Sequence, residues 1–300
     1  MNTQKQMSTQ AWAELLLLSL IWGGIFLAVR IALDEIGPLT AVANRVAWAA
    51  LLLWVVVLVG RVQIPQSPKV WIGFVGMGLL NNVIPFSLQA WGQLYIESGL
   101  TSILNAGTAV FGVLVAAIFL ADERLTRRKA IGVAFGFAGV ITAIGFGALA
   151  SFDLRSMGQL AVIASTISYA FAGVWARKML AGVPPVMAAC GMLTASSVIA
   201  LPLAWTVEGP LTLALSPTTW AAIAFYAVVA TAGAYLLFYR VLDMAGAANL
   251  MLCTLLIAPV AIVLGTVVLG EELPLRAYGG FALIGMGLII LDGRLIKRFL

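Results

Sequence analysis

The residues of this chain best placed to do chemistry are polar and aromatic side chains inside long apolar stretches. Asn82 and Gln89 fall in one stretch and Asn105 in the next, with polar neighbours at steps of three or four. That spacing places them on single faces of helices. Amides, hydroxyls and aromatic rings there could hydrogen-bond and enclose a small solute. The eight predicted binding residues are Trp22, Asn82, Gln89, Asn105, Tyr169, Thr231, Tyr235 and Tyr239.

Bond-making chemistry has little support in the residue types. The chain has no histidine, which removes the commonest general base and metal ligand. Its two cysteines, Cys190 and Cys253, each lie in an apolar run with no Cys or His nearby. A membrane enzyme would need clustered His or Cys, or paired carboxylates, and the sequence shows none of these patterns. We therefore expect no catalytic residue, no metal site and no cofactor.

The composition indicates what kind of protein positions these side chains. Hydrophobic residues make up 62% of the chain and charged residues 10%, so most of its surface must face lipid. A bilayer core needs about 20 apolar residues per helix, which leaves room for about ten spans. The predicted spans are residues 11–33, 39–60, 70–91, 100–120, 129–147, 158–178, 185–206, 218–239, 247–269 and 277–291. We expect an all-α integral membrane protein surrounded by the lipid bilayer.

The basic residues lie beside these spans, singly or in short clusters. This is typical of membrane flanks and not of a nucleic-acid surface. With the N-terminus assigned to the cytoplasm, 13 Lys and Arg fall on inner flanks, and only Arg30, Arg155 and Arg276 fall on outer flanks. Lys and Arg accumulate on the cytoplasmic side of membrane proteins. We therefore expect a multi-pass protein of the bacterial inner membrane with both termini cytoplasmic and no nucleic-acid partner.

The two halves of the sequence are related to each other. At an offset of 147 residues Arg30 falls on Arg177, and at an offset of 149 Asn82 falls on Thr231. Each half holds five predicted spans, an odd number, so the second copy must enter the membrane from the opposite face. We predict ten transmembrane helices in two inverted five-helix repeats, residues 11–150 and 157–293, with a substrate site at the midplane between them.

Three stretches carry a resemblance to a known family. They are the opening "SLIWGGIFLAVRIALDEIGPLTAVANRVAWAALLL" and the two repeat endings, "FGVLVAAIFLADERLTRRKAIGVAFGFAGVITAIG" and "IAPVAIVLGTVVLGEELPLRAYGGFALIGMGLIIL". They resemble EamA-type members of the drug/metabolite transporter (DMT) superfamily, particularly YddG-like amino acid exporters. The resemblance covers nearly the whole chain and implies ten helices, inverted repeats and movement of small metabolites. One departure is Ala109-Val110, where the second repeat has the family-like Ala258-Pro259-Val260.

The polar faces divide the helices into two groups. Helices 1, 3, 4, 6, 8 and 9 are predicted to line a cavity, and the Gly-rich helices 5 and 10 to pack outside it. Pro85 and Pro259 should kink helices 3 and 9 and serve as hinges, Pro85 by leaving the carbonyl of Asn81 without a donor. Gly132 and Gly136 have the spacing of a close helix contact, which suits either a repeat interface or a dimer.

Arg45 is the one charge well inside a predicted span, roughly 9 Å from the end of helix 2 by the helical rise. An isolated charge at that depth would cost several kcal/mol. Two interpretations remain open. Arg45 either has a structural role or binds the carboxylate of a substrate.

These patterns predict an alternating-access exporter of small neutral or zwitterionic metabolites such as amino acids, acting as a monomer or weak homodimer. Drug or cation efflux and uptake of nucleotide sugars or other metabolites are alternatives. A channel or a membrane-embedded enzyme is a more distant one. All Asp and Glu lie at span ends or in loops, so we expect transport that needs no imposed pH gradient.

Overall fold

The computed structural model describes residues 8–121, 125–145, 153–245 and 252–292. Within these ranges the chain forms ten helical segments and no strand. The segments are α1 (Thr9–Ala32), α2 (Pro38–Val59), α3 (Pro68–Gly92), α4 (Ser98–Phe119), α5 (Arg127–Ile144), α6 (Leu154–Met179), α7 (Pro185–Glu208), α8 (217–245), α9 (Leu252–Leu269) and α10 (Leu275–Asp292). The all-helical prediction is confirmed. Asp122-Glu123, part of the family-like motif, and the predicted start of the ninth span lie outside the described residues.

Seven of these segments, α1 to α4 and α6 to α8, contain a stretch long and apolar enough to cross a membrane. Two shorter apolar stretches, Leu256–Leu269 and Leu275–Leu291, belong to α9 and α10. Helix starts follow local chemistry. Proline occupies the first turn of α2, α3, α7 and α8, where its missing N–H costs no hydrogen bond. Side chains of Ser8, Thr126, Asp153 and Ser216 accept hydrogen bonds from the first turns of α1, α5, α6 and α8.

Two helices widen at their centres. Gly78–Val83 in α3 and Phe225–Gly233 in α8 are π-helical, so their backbone hydrogen bonds skip one residue more than in an α-helix. The two segments fall at equivalent positions of the two sequence halves, since Asn82 aligns with Thr231. α4 is also interrupted, by a turn at Ala106 and Gly107 between its two helical parts.

Each helix of the first half makes the same kind of contact as the equivalent helix of the second half. α1 packs on α8 and α9, and α6 packs on the corresponding α3 and α4. α2 packs on α7, α4 on α9 and α5 on α10. The contact between α5 and α10 depends on glycine: a methyl group on Gly139 would lie 2.7 Å from the carbonyl oxygen of Gly280, and one on Gly287 would lie 2.7 Å from that of Gly132. The spacing noted at Gly132 therefore serves contact between the two halves.

Carboxylates join the two halves at one end of the bundle, which we call the capped end. Glu208, at the end of α7, accepts hydrogen bonds from the backbone N–H groups of Leu39 (2.9 Å) and Thr40 (2.8 Å) at the start of α2. Glu271, after α9, accepts from the N–H of Ser98 (2.8 Å) at the start of α4. A helix N-terminus favours a negative charge because its first N–H groups are unpaired. These contacts hold helices of opposite halves together.

Two further carboxylates belong to the capped end. Glu35, after α1, accepts from the N–H of Ser216 at the start of α8 (2.9 Å). Hydrogen bonds from the side chain and the backbone of Ser216 hold the pKa of Glu35 below its usual value. Glu97, before α4, forms an ion pair of 2.8 Å with Arg155 of α6. At the opposite end of the bundle, Glu14 of α1 pairs with Arg240 of α8 at 2.6 Å.

Candidate functional site

A small pocket opens between α1, α2 and α3. It lies in the half of the bundle nearer the capped end, since it uses the last turns of α1 and α3 and the first turns of α2. Most of its wall is apolar, and its polar groups are the side chains of Arg45, Gln89 and Gln93. The residues that line it are Ile25, Phe26, Val29, Ala41, Val42, Arg45, Phe86, Gln89, Ala90 and Gln93.

Arg45 enters this pocket from α2, a helix that was not expected to line the cavity. Its Nε donates a hydrogen bond to Oγ1 of Thr231 (3.0 Å), and its guanidinium carbon lies 3.5 Å from the ring centroid of Phe86. In the described part of the chain no carboxylate forms an ion pair with it. A guanidinium over an aromatic face is attracted by the ring but keeps its positive charge. The sequence signal was the lone charge inside an apolar span.

Gln89 and Asn105, both predicted binding residues, meet between α3 and α4. Nε2 of Gln89 donates to Oδ1 of Asn105 (3.0 Å) and to Oγ of Ser165 on α6 (3.1 Å). The amide thus joins helices of both halves at the floor of the pocket. The phenol of Tyr169, on α6, lies beside Gln89. One turn farther along α3, Gln93 is 3% exposed.

Asn82 lies apart from this group. It is fully buried, and its amide donates to Oγ of Ser196 on α7 (2.9 Å). The amide of its neighbour Asn81 donates to the phenol oxygen of the predicted residue Tyr235 (3.4 Å). Asn82 therefore contacts α7, whereas Gln89 contacts α4 and α6. Asn82 lies inside the π-helical segment Gly78–Val83, and Gln89 lies in the α-helical turns that follow it.

The other predicted residues lie along α1 and α8. Trp22 donates from its indole N–H to the carbonyl of Ala230 (3.2 Å), and its ring stacks at a tilt on Phe238. Thr231 accepts from Arg45 and donates to the carbonyl of Tyr226 (2.7 Å). The side chain of Tyr239 lies outside the described part of the structure. The structure therefore brings Thr231, Gln89 and Asn105 to the pocket or its floor, and it places Trp22 in the contact between α1 and α8.

Pro85 does remove a hydrogen-bond donor from α3, but at a different carbonyl from the one expected. The N–H of Ile84 bonds to the carbonyl of Leu79 in π-helical fashion, so Leu80 would need the N–H that Pro85 lacks. Oγ of Ser168 on α6 donates to that carbonyl (2.7 Å). A protein hydroxyl, and not the cavity, satisfies the freed acceptor. Pro259 lies inside α9, and its ring is exposed on the outside of the bundle.

Comparison with known proteins shows the family. The model of the EamA-like transporter family matches residues 11–145 and again residues 156–291, most of the chain. The chain belongs to the EamA-like transporter family. This confirms the resemblance to EamA-type members of the DMT superfamily. The protein is therefore a multi-pass membrane transporter, and its family points away from an enzyme.

Two relatives align with this chain over nearly their whole length. An uncharacterized transporter of Archaeoglobus fulgidus is 26% identical, covering 93% of this chain and 97% of the relative. A probable terminal-alkyne amino-acid exporter of Streptantibioticus cattleyicolor is 28% identical, covering 98% and 96%. A crystal structure with 20% sequence identity superposes with a TM-score of 0.67, covering 97% of this chain and 99% of that one. That likeness shows a shared fold.

The chemistry available to this EamA-like transporter is binding. Among the described residues, no group of three His, Cys, Asp or Glu side chains is placed to hold a metal ion. The pocket offers a cation, two carboxamides and an aromatic face to a solute. These groups recognise charge and hydrogen-bonding pattern, which is what a carrier needs to select its substrate.

Proposed function

We propose that this protein exports small neutral or zwitterionic metabolites, with amino acids the foremost class, across the bacterial inner membrane. The observation that carries the proposal is the pocket, whose apolar wall holds two carboxamides and a cation that has no ion-pair partner among the described residues. An amino acid offers matching groups. The relative named as a probable amino-acid exporter supports this substrate class.

Alternating access between two inverted five-helix repeats is the proposed mechanism. Corresponding helices of the two halves make corresponding contacts: α1 packs on α8 and α9, and α6 packs on α3 and α4. This correspondence supports a two-fold relationship between the halves. All ten helices would then cross the membrane, with residues 11–150 and 157–293 as the two repeats. Rocking one repeat against the other would open each end of the central site in turn. The carboxylate contacts at the capped end would close that end.

Cation efflux is disfavoured by the same pocket. A cationic drug entering it would meet the guanidinium of Arg45, and like charges at short range repel strongly in a medium of low dielectric constant. An enzyme or channel activity has no corresponding group of residues to support it. Lipid and a small-molecule substrate are the proposed partners, in a monomer or a weak homodimer.

The test is flux of radiolabelled amino acids and of a cationic drug into proteoliposomes, measured side by side. We expect uptake of amino acids down their gradient without an imposed pH gradient, because the acidic side chains lie at helix ends and in loops. Flux of the drug alone would contradict the substrate class. Amino acid flux that vanishes when the pH gradient is collapsed would reveal a proton site, and Glu14, whose Oε2 is buried without a partner, would be tested first.

The same assay tests the predicted binding residues. Trp22→Ala, Asn82→Ala and Tyr169→Ala should each reduce flux strongly at normal membrane abundance, because each removes a group at the centre of the bundle. Thr142→Ala and Tyr278→Ala are the controls. The hydroxyl of Thr142 bonds only within α5, to Ala138 (2.7 Å), and Tyr278 of α10 is exposed. Unchanged flux in the three central variants would place the substrate elsewhere.

A further inference from the structure

The pocket between α1, α2 and α3 contains two polar groups that the protein itself leaves incompletely paired. The first is the guanidinium of Arg45, which has five N–H donors. Within the described part of the chain only Nε is used, in the hydrogen bond to Thr231, while Phe86 covers one face of the group. Both terminal amino groups therefore keep their donors for a ligand.

The second group is the carboxamide of Gln93. Its side chain is 3% exposed and lines the pocket, and its Oε1 has no hydrogen-bond partner among the described residues. A buried acceptor left unpaired is unfavourable. A ligand that brings an N–H donor would satisfy it.

These two groups favour opposite charges in a ligand, because the guanidinium donates hydrogen bonds and Oε1 of Gln93 accepts them. The terminal donors of a guanidinium match a carboxylate, which can accept two parallel hydrogen bonds from it. Oε1 of Gln93 can only accept, so it matches an ammonium group. The remaining wall is aliphatic and aromatic and includes Ile25, Val29 and Val42.

We propose that this pocket binds the zwitterionic head of an α-amino acid, with its carboxylate on Arg45 and its ammonium group donating to Oε1 of Gln93. The apolar wall holds an aliphatic side chain. This assignment rests on the proposed function and adds to it the two residues that recognise the head group. A ligand with a carboxylate alone would leave Gln93 unpaired, and one with an amine alone would leave Arg45 without its counter-charge.

Three compounds of one shape separate these contributions: leucine, leucinamide, which lacks the carboxylate, and 4-methylpentanoate, which lacks the ammonium group. Each is tested as a competitor of labelled leucine in proteoliposomes, and as a stabiliser of the purified full-length protein against heat. For the wild type we expect leucine to compete at about tenfold lower concentration than either analogue. Equal competition by all three would overturn the proposal while leaving transport itself intact.

Two variants assign the preference to residues. Arg45→Gln should abolish the preference for leucine over leucinamide, and Gln93→Leu should abolish the preference for leucine over 4-methylpentanoate. Arg30→Gln and Gln159→Leu are the matched controls. Arg30 pairs with Asp34 at 2.8 Å and lies outside the pocket. Gln159 is likewise buried with an unpaired Oε1 but does not line the pocket.

The outcomes distinguish this assignment from the proposed function. If Arg45→Gln discriminates leucine from leucinamide as the wild type does, the assignment is wrong, whatever the flux. If no amino acid is transported but leucine still stabilises the wild type more than both analogues, the binding site stands and the transport proposal fails. The wild-type comparison needs no variant, so a variant that does not fold leaves the assignment open to contradiction.

Discussion

Ser168 supplies the hydrogen bond that Pro85 takes from α3. Its hydroxyl lies 2.7 Å from the carbonyl of Leu80, the acceptor left without a backbone donor at the end of the π-helix. Inside the bilayer there is no water that could donate a hydrogen bond to such a carbonyl. The bond also ties α3 of one half to α6 of the other.

We expect Ser168→Ala to lower the free energy of unfolding by about 1 to 2 kcal/mol, because a buried carbonyl loses its donor. Thermal unfolding in detergent measures it. Ser197→Ala is the control, since the Ser197 hydroxyl bonds only to Leu193 of its own helix (2.7 Å). Equal loss of stability in the two variants would mean that the Leu80 carbonyl is satisfied in another way.

At the residue scale, the sequence predicted most polar residues of the site but not all of their hydrogen-bond partners. It identified Gln89 and Asn105, which meet, and it noted Arg45 without deciding its role. It placed Asn82 and Gln89 on one face of helix 3, and the structure gives the two side chains partners on different helices. It gave Gln93 no separate role, since an unpaired oxygen becomes visible only when every neighbour is in place.

The elements themselves were largely predictable. Ten apolar stretches gave ten helical segments, because backbone groups in lipid must bond within their own helix. The π-helices were not predictable. Pro85 gave a hint of irregularity in α3, but α8 has no proline close to its π-helical segment. There the hydroxyl of Thr231 donates to the carbonyl of Tyr226, five residues earlier in the same helix, and accepts from Arg45 of α2.

The contact between α5 and α10 gives a prediction for helix packing. Gly139→Ala should destabilise the protein by about 1 to 3 kcal/mol, because its methyl group would lie 2.6 Å from the backbone nitrogen of Ile284. Gly112→Ala, in α4, has open space around the new methyl group and should be neutral or stabilising through its higher helix propensity. Unfolding of the two variants in detergent is compared directly. Equal stability would mean that α5 and α10 separate at little cost.

The arrangement of the whole molecule depends on which end faces outward. The asymmetry of 13 against three basic residues predicts that both termini are cytoplasmic, which places the capped end toward the periplasm. A reporter active only in the periplasm, fused after Leu300, should therefore be inactive. Fusion after Gly209, which follows α7 at the capped end, should make it active. The reverse pattern would invert the molecule and would place the capped end in the cytoplasm.

The sequence predicted the two related halves, but it could not place the pocket within them. A site at the midplane follows from symmetry alone, whereas the pocket uses helices of one half and lies nearer the capped end. One residue of the pocket differs in charge between the two halves. Where the first half has Arg45 the second has Met192, so only one of two equivalent positions carries a charge.

The two π-helices widen corresponding turns of the two halves. A π-helical turn contains one residue more than an α-helical turn, and the two segments lie around Asn82 and Thr231, which are 149 positions apart. Each widened turn directs a polar side chain at the other half of the bundle. Asn82 donates to Ser196 of α7, and Thr231 accepts from Arg45 of α2, so the same irregularity joins α3 to α7 and α8 to α2.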